Sequence, residues 1–515
     1  MKISVLDTTL RDGAQSEGVS FSLEDRLQIA RELDELGIEY IEGGNPSASQ
    51  KDREFFACGK AQPLKAKLVA FGSTIRKDAT PETDEGLAML IAAKTEYVTV
   101  FGKTSAEQVE KVLEVTEEKN IEMITSTVEY LVSKGKKVLF DAEHYFDGFV
   151  ESSDYALRCI VAAERAGAFF IVLCDTNGGQ LPEVIERGVA AAKSAVKTPI
   201  GIHCHDDCGL AVANTLTAVR AGAEHIQGTF TGIGERCGNA NLAVIIPNLQ
   251  LKLGYEVVAP EKLQEFKRVY NTLCELTNVD TADSMPYVGN SAFAHKAGMH
   301  TAAVLKNTNS FEHVDPTAVG NERKILISEL SGRSALAYKI NKYFALPKDS
   351  AQIDKILSEL KNKEYGGYQY EGADASLILE VKKILGLYKP SFKLISLKCI
   401  TEQPQRYRNN ATAVLNLEVE GNETINAADG EGPVHALDKV LRRALKKFYP
   451  SISSVHLVDY KVRVLNAEEN TAAKVRVLIS STDGESVWNT VGVSQDIIEA
   501  SWIALLDSID FYLQR

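Results

Sequence analysis

Short apolar strands alternate with amphipathic helical stretches through the first half of this chain, a rhythm that few folds accept. The spacing predicts strands at Ile3–Leu6, Tyr40–Glu42, Leu68–Phe71, Tyr97–Val100, Val138–Asp141, Phe169–Cys174, Ile200–His203 and His225–Phe230. Between them it predicts helices such as Leu23–Leu36, Asp84–Ala93, Ala106–Lys119, Asp154–Ala166, Pro182–Ala195 and Leu210–Ala221. Eight such units, the last ending near Gly254, match a (β/α)8 TIM barrel of about 250 residues. An open doubly wound sheet is the alternative arrangement of the same elements.

The periodicity then changes. Residues 255–345 read as helices around an irregular Gly- and His-bearing segment, Asn290–His300. A more polar helix, Asp349–Lys363, runs into the turn or linker Tyr365-Gly366-Gly367-Tyr368. Beyond Pro390, strands such as Ala413–Val419 and Lys474–Ile479 lead through Gly-containing turns, Gly430–Gly432 and Gly492–Ser494, into the amphipathic helices Val434–Phe448 and Ile497–Tyr512. This weak repeat of about sixty residues implies a separate α+β domain with two related halves. The expected organisation is a barrel over 1–255, a helical lid or linker over 256–389, and the C-terminal α+β domain over 390–515.

A net charge of −13 argues against nucleic acid or an anionic membrane surface as partner. No apolar run is long enough to span a membrane, and Met1–Asp7 enters a strand at once, leaving no room for a signal peptide. The eight cysteines form no CxxC pair, as suits reduced thiols in a cytoplasmic protein.

The unusual polar residues fall at one end of the predicted strands. Strand seven ends in Ile202-His203-Cys204-His205, and residues two apart in a strand share a face, so both imidazoles can meet one ion. Taken alone, the two histidines could equally satisfy local hydrogen bonds. Strand one runs into Asp7-Thr8-Thr9-Leu10-Arg11-Asp12-Gly13, strand two into Glu42, strand five into Asp141-Ala142-Glu143, strand six into Asp175-Thr176-Asn177, and strand eight into Gly232–Asn239. In a barrel these ends converge on one mouth. Asp12 with His203 and His205 then makes a divalent-metal site with open positions, and Arg11 can meet an anionic substrate or a developing oxyanion. Glu42, Thr176 and Asn239 each have a plainer explanation as caps or backbone partners, but six strand ends in agreement point to a metal-dependent enzyme.

Three of these motifs, Asp7–Gly13, His203-Cys204-His205 and Gly232-Ile233-Gly234-Glu235-Arg236-Cys237-Gly238-Asn239-Ala240, resemble the acyl-CoA condensing branch of the DRE-TIM metallolyases, which includes 2-isopropylmalate, homocitrate and citramalate synthases. The chain is most similar to the long-chain (R)-citramalate synthase group. That group's stretches are echoed by Val69–Thr74, Asp175–Gly179, Asn248–Tyr255, Glu329–Arg333, Leu457–Leu465 and Ile498–Leu505. The resemblance covers essentially the whole chain. It implies that Asp12, His203 and His205 bind a divalent metal (Mg²⁺ or Mn²⁺, with Zn²⁺ as a further choice) and that Asn239 lies in or near its coordination shell. It also implies that Arg11 contacts the keto oxygen, that Glu42 orients Arg11, and that Thr176 holds the 2-oxo acid carboxylate. Glu143 would assist proton transfer at the acetyl group, and His300 would reach the neighbouring subunit's site in a homodimer. One departure stands out: Phe311 occupies a position where the family usually has Tyr.

The implied reaction is a Claisen-type condensation of acetyl-CoA with pyruvate and water to (R)-citramalate and CoA, an acyl transfer that enters isoleucine biosynthesis. Isoleucine is the implied effector of the region after Pro390, where Gly430–Pro433 and Gly492–Ser494 would allow close backbone approach. That region could instead serve dimerisation alone. Phe101, at the end of strand four, is the candidate for the bulk that leaves room only for a methyl group. The competing readings are a 2-isopropylmalate synthase, a TIM-barrel metal-dependent lyase or aldolase, and a non-catalytic metabolite-binding regulator. The C-terminal repeat disfavours the lyase, and the intact ligand set with Arg11 and Glu143 disfavours the regulator.

Overall fold

The computed structural model describes residues 1–59, 64–280, 282–326, 332–341, 343–347, 350–402, 410–465 and 473–515. Two compact units share the chain: Met1–Phe293 with Val314–Arg323, and Ala294–His313 with Lys324–Arg515. Of the expected stretches, Glu329–Ser331 and Asp349 lie outside the described residues.

The first unit is built on strands β1 Ser4–Asp7, β2 Tyr40–Glu42, β3 Lys67–Ser73, β4 Tyr97–Lys103, β5 Lys137–Glu143, β6 Phe170–Asp175, β7 Ile200–Cys204 and β8 His225–Gly228. Each pairs in parallel with the next, and β8 pairs back to β1, so the sheet closes into a barrel and the open-sheet alternative is excluded. Helices cover the outer face and leave the strands buried on both sides, which is why they read as nearly continuous apolar runs. Inside, Leu6, Tyr40, Val69, Tyr97, Leu139, Phe170, Val172 and Cys174 pack into one bore cluster. At its lower end Tyr40 meets Tyr97 edge-on at 5.1 Å, and His225 stacks on Phe170 at 4.5 Å while sharing a 2.7 Å hydrogen bond with Ser4. This end is a packed plug, and chemistry is confined to the opposite mouth.

Helix α1 spans Leu23–Leu36, as its periodicity predicts. Ser22 and Asp25 form a capping box at its start, and Gly37 closes it in the left-handed region at φ 93°. On its inner face Arg26, almost fully buried, donates to the carbonyls of Leu10 and Gly43 and pairs at 3.1 Å with Asp52 of α2, Gln50–Gly59. Asp52 in turn accepts from the Asn45 amide at 2.8 Å. One ion pair thus ties the segments leaving β1 and β2 to the helix layer behind them.

The helix expected at Ala106–Lys119 does not form as one piece. Ser105 caps a short turn of helix at Ala106–Gln108, Glu114 takes a left-handed φ of 55°, and Thr116 caps a new helix, Glu117–Ser133. Two competing caps in one segment outweigh the apolar periodicity that runs across them.

In the second unit the repeat after Pro390 is fuller than expected. Each half is a three-stranded antiparallel meander followed by a helix. The first is Lys393–Thr401, Ala411–Val419 and Asn422–Gly430 with Pro433–Leu445, and the second is His456–Val464, Val475–Thr482 and Val487–Ser494 with Ile497–Leu513. Both break register near the start of the first strand, at Leu394/Ser396 and at Leu457/Asp459. The glycines at the turns also differ from expectation. A Cβ on Gly430 would meet the Ala436 backbone, and one on Gly492 would meet that of Ala500, so the helices that follow pack directly on these two glycines, while Gly432 faces open space. No helix among the described residues is long and apolar enough to cross a membrane.

Arg26→Met should strand the buried Asp52 carboxyl and cost about 3–5 kcal/mol, the usual penalty for breaking a buried ion pair. Chemical denaturation of the barrel should show a clearly lowered midpoint, partly recovered in Arg26→Met/Asp52→Asn. An unchanged midpoint in the single variant would remove this pair from the fold's supports.

Candidate active site

The pleat that fills the lower bore also builds the mouth. Going up each strand in steps of two, Val69 is followed by Phe71, Tyr97 and Thr99 by Phe101 and Lys103, Leu139 by Asp141 and Glu143, and Val172 by Cys174 and Thr176. Arg11, Asp12, Phe101, Glu143, Thr176, His203 and His205, all expected from the sequence, line one cavity of about 220 Å³ together with Phe71, Asp141 and Arg236.

At its floor His203 Nε2 lies 3.2 Å and His205 Nε2 4.0 Å from Asp12 Oδ2, and one ligand atom from each residue falls within 4.8 Å of the others. Burial alone would raise the Asp12 carboxyl, but Arg11 and the two imidazoles outweigh it and hold Asp12 well below the usual carboxylate range. Burial, then His203, lower His205 to about 4, so its imidazole is neutral with a lone pair to offer. Asn239 is buried with neither its amide oxygen nor its nitrogen partnered, directly across a backbone bridge from His205. It sits there because the Gly232–Asn239 loop is tightly folded. Gly238 has φ 100°, and a Cβ on Gly234 would collide with the Asn239 amide. A carboxylate, two imidazoles and an orphaned amide together fit a divalent cation.

Arg11 is held from three sides. Its Nε donates to Glu42 at 2.7 Å, its Nη1 lies 3.2 Å from Asp12, and its guanidinium sits 3.9 Å over the Phe71 ring. Burial would lower it, but Asp12 and Glu42 outweigh burial and hold it above the ordinary arginine value. Phe71 stacks in turn on Phe101 at 5.4 Å, forming an aromatic wall. Across the cavity Glu143 pairs at 2.8 Å with Lys103, its direct neighbour in the β4–β5 register. The Thr176 hydroxyl accepts from the His144 amide at 2.8 Å, which leaves its own hydrogen to donate outward. Arg236, at a left-handed φ of 56°, forks onto Asp207 at 2.8 and 3.0 Å and caps the Thr176 carbonyl. Burial, followed by the Glu42 carboxylate, raises Asp141 to about 7.

His300 belongs to the second unit, on the helix Gly298–Lys306. Its exposed ring stacks at 4.1 Å on Phe311, which offers a face but no hydroxyl. The neighbouring Glu312 is buried and pairs at 3.0 Å with His295.

Phe71, Lys103 and Gln227 were not singled out from the sequence, and Asp141 stood there only as the polar residue at which strand five ends. Phe71, Asp141 and Gln227 lie within the expected strands, two residues from Val69, Leu139 and His225, and Lys103 lies two beyond Phe101, so following the alternation along each strand would have turned them toward the mouth.

Family models match three stretches: HMGL-like over residues 2–273, the homocitrate synthase post-HMGL domain-like family over 287–365, and the LeuA allosteric (dimerisation) domain over 371–513. An (R)-citramalate synthase of Aquifex aeolicus is 48% identical over 100% of this chain and 98% of its own, and one of Synechocystis sp. is 44% identical over 99% and 95%. A protein of Archaeoglobus fulgidus named "Probable 2-isopropylmalate synthase" is 32% identical over 99% and 97%.

His203→Ala and Asp12→Ala should each abolish uptake of Mn²⁺ by the apoprotein in titration calorimetry, since each removes a donor from the cluster. Wild-type uptake in either variant would make the cluster a hydrogen-bonded core feature.

Proposed function

We infer the activity from family and geometry together: the chain belongs to the (R)-citramalate synthase family, and its cavity carries the groups needed to condense acetyl-CoA with pyruvate. The product is (R)-citramalate, and the enzyme is an acyltransferase of isoleucine biosynthesis. The observation that carries this reading is Arg11, fixed between Asp12 and Glu42 at the edge of the metal-ligand cluster, with an aromatic wall beside it.

A divalent ion on Asp12, His203 and His205, near Asn239, supplies Lewis acidity toward the acceptor when bound; Mg²⁺ or Mn²⁺ is the first choice and Zn²⁺ the alternative. Thr176 donates its hydroxyl hydrogen to the carboxylate of the 2-oxo acid. Glu143, charge-paired with Lys103, takes a proton from the acetyl methyl group. The methyl carbon bonds to the keto carbon, and Arg11 neutralises the alkoxide oxygen until it is protonated. Water then cleaves the thioester and releases the CoA thiol.

The Phe71–Phe101 stack limits the acceptor's alkyl group to a methyl. Pyruvate should therefore give a higher kcat/KM than 2-oxoisovalerate in an assay of thiol release from acetyl-CoA. Phe101→Ala should shift the ratio toward the branched acid by about 1–3 kcal/mol of transition-state energy per methylene accommodated. A wild-type preference for 2-oxoisovalerate would make the enzyme a 2-isopropylmalate synthase.

The division of labour we propose assigns chemistry to residues 1–255, a lid or linker to 256–389 and control to 390–515. The protein works in the cytoplasm as a homodimer in which His300 completes the neighbouring subunit's site, with isoleucine as feedback effector. Mixing inactive His300→Ala and His203→Ala chains should restore activity in hybrid dimers, and isoleucine should bind the whole chain in calorimetry and slow it where leucine does not. Confirmed hybrids without activity would place His300 in its own chain's site, and a response to leucine alone would replace the effector.

A further inference from the structure

The Gln227 side chain is fully buried in the bore and makes two contacts that constrain each other. Its Nε2 donates to Asp141 Oδ1 at 3.1 Å, and its Oε1 lies 3.0 Å from His203 Nδ1. Asp141 is on β5 and Gln227 on β8, two strands that do not pair, so the first bond spans the barrel interior. His203 and Gln227 are direct neighbours in the β7–β8 register. The opposite edge of the His203 ring faces Asp12 through Nε2 at 3.2 Å.

An ionised carboxylate only accepts hydrogen bonds, so Asp141 can face only the NH₂ end of the Gln227 amide. The amide is planar, and its oxygen must then turn to the other side, toward His203. An amide oxygen also only accepts, so the ring nitrogen beside it carries a proton. Neighbours thereby determine both the amide orientation and the tautomer.

We propose that Asp141 and Gln227 are positioning residues for the metal centre: the Asp141 carboxylate orients the Gln227 amide, which holds His203 as the Nδ1–H tautomer and keeps Nε2 as its metal-binding lone pair. This rests on the reading of Asp12, His203 and His205 as metal ligands. It extends that reading to two residues outside the ligand cluster. Such partners are worth about ten- to hundred-fold in metal affinity where they have been removed from histidine-ligated sites.

Co²⁺ uptake by the apoprotein, followed by calorimetry and by the visible absorption of the bound ion, tests the proposal. Titrations are run at pH 8, above the value of about 7 to which burial raises the Asp141 carboxyl. Asp141→Asn keeps the shape but lets the amide turn either way, and it should weaken Co²⁺ binding about ten- to hundred-fold. Gln227→Met, which removes the acceptor, should do the same. The exchange Asp141→Asn/Gln227→Glu moves the charge to the other strand but keeps a hydrogen bond at both contacts. The amide introduced on β5 donates to the carboxylate introduced on β8, and that carboxylate accepts from His203 Nδ1. The exchange should return both affinity and absorption spectrum to those of the wild type. Wild-type affinity in Asp141→Asn or Gln227→Met, or an exchange variant no tighter than Asp141→Asn, overturns the proposal. A wild-type chain that takes up no Co²⁺ overturns the metal reading itself, and this inference with it.

Discussion

Closure of the parallel sheet imposes one binary choice on every strand residue: bore or helix layer. The lower bore takes its share as aromatic and aliphatic bulk, from Tyr40, Tyr97 and Phe170 up to Val69 and Val172. Each strand then continues past the plug with its inward alternation unbroken, so the residues that emerge at the mouth already point at a common axis. Phe71, Phe101, Asp141, Glu143 and His203 are inward because Val69, Thr99, Leu139 and Gly201 are. No loop has to aim them.

That common axis crowds acidic groups together, and charge balance explains much of the rest. Asp12, Glu42 and Asp141 are nearly or fully buried within reach of one guanidinium. Arg11 settles two of them, and Asp141 is left on the amide of Gln227. A cavity with this surplus of carboxylate and a neutral imidazole at His205 is electrostatically suited to a cation and poorly suited to a second anion unless that cation is present.

The strands of the barrel were legible in the sequence as short apolar runs because both of their faces are buried, and the helices between them by the 3.6-residue period of a half-buried face. The convergence of His203 and His205 on Asp12 was legible because the two histidines are two apart on one strand. What escaped depended on information outside a single element. Ser105 and Thr116 each look like a cap, and only the fold shows that both act and divide the expected Ala106–Lys119 helix. Gly430 and Gly492 read as places of close approach, and only the fold shows that the approaching backbone is that of the chain's own helices. The first strand of each C-terminal meander, Lys393–Thr401 and His456–Val464, is largely exposed and was not read as a strand, although Val458–Val464 alternates apolar and polar residues. Asp141 and Gln227 are 86 residues apart, and only barrel closure brings them together.

The path of the chain around the barrel also sets when the centre can exist during synthesis. Asp12 follows β1, His203 and His205 come from β7, and in the closed sheet β8 lies between those two strands. A nascent chain that has reached His205 already holds all three donors, but nothing joins its first strand to its seventh. Only when β8 leaves the ribosome can the ring close, and the same strand delivers Gln227 to the back of His203. An ion held by Asp12, His203 and His205 would therefore be captured late in biogenesis, and partly made chains would have no preformed trap for the wrong metal.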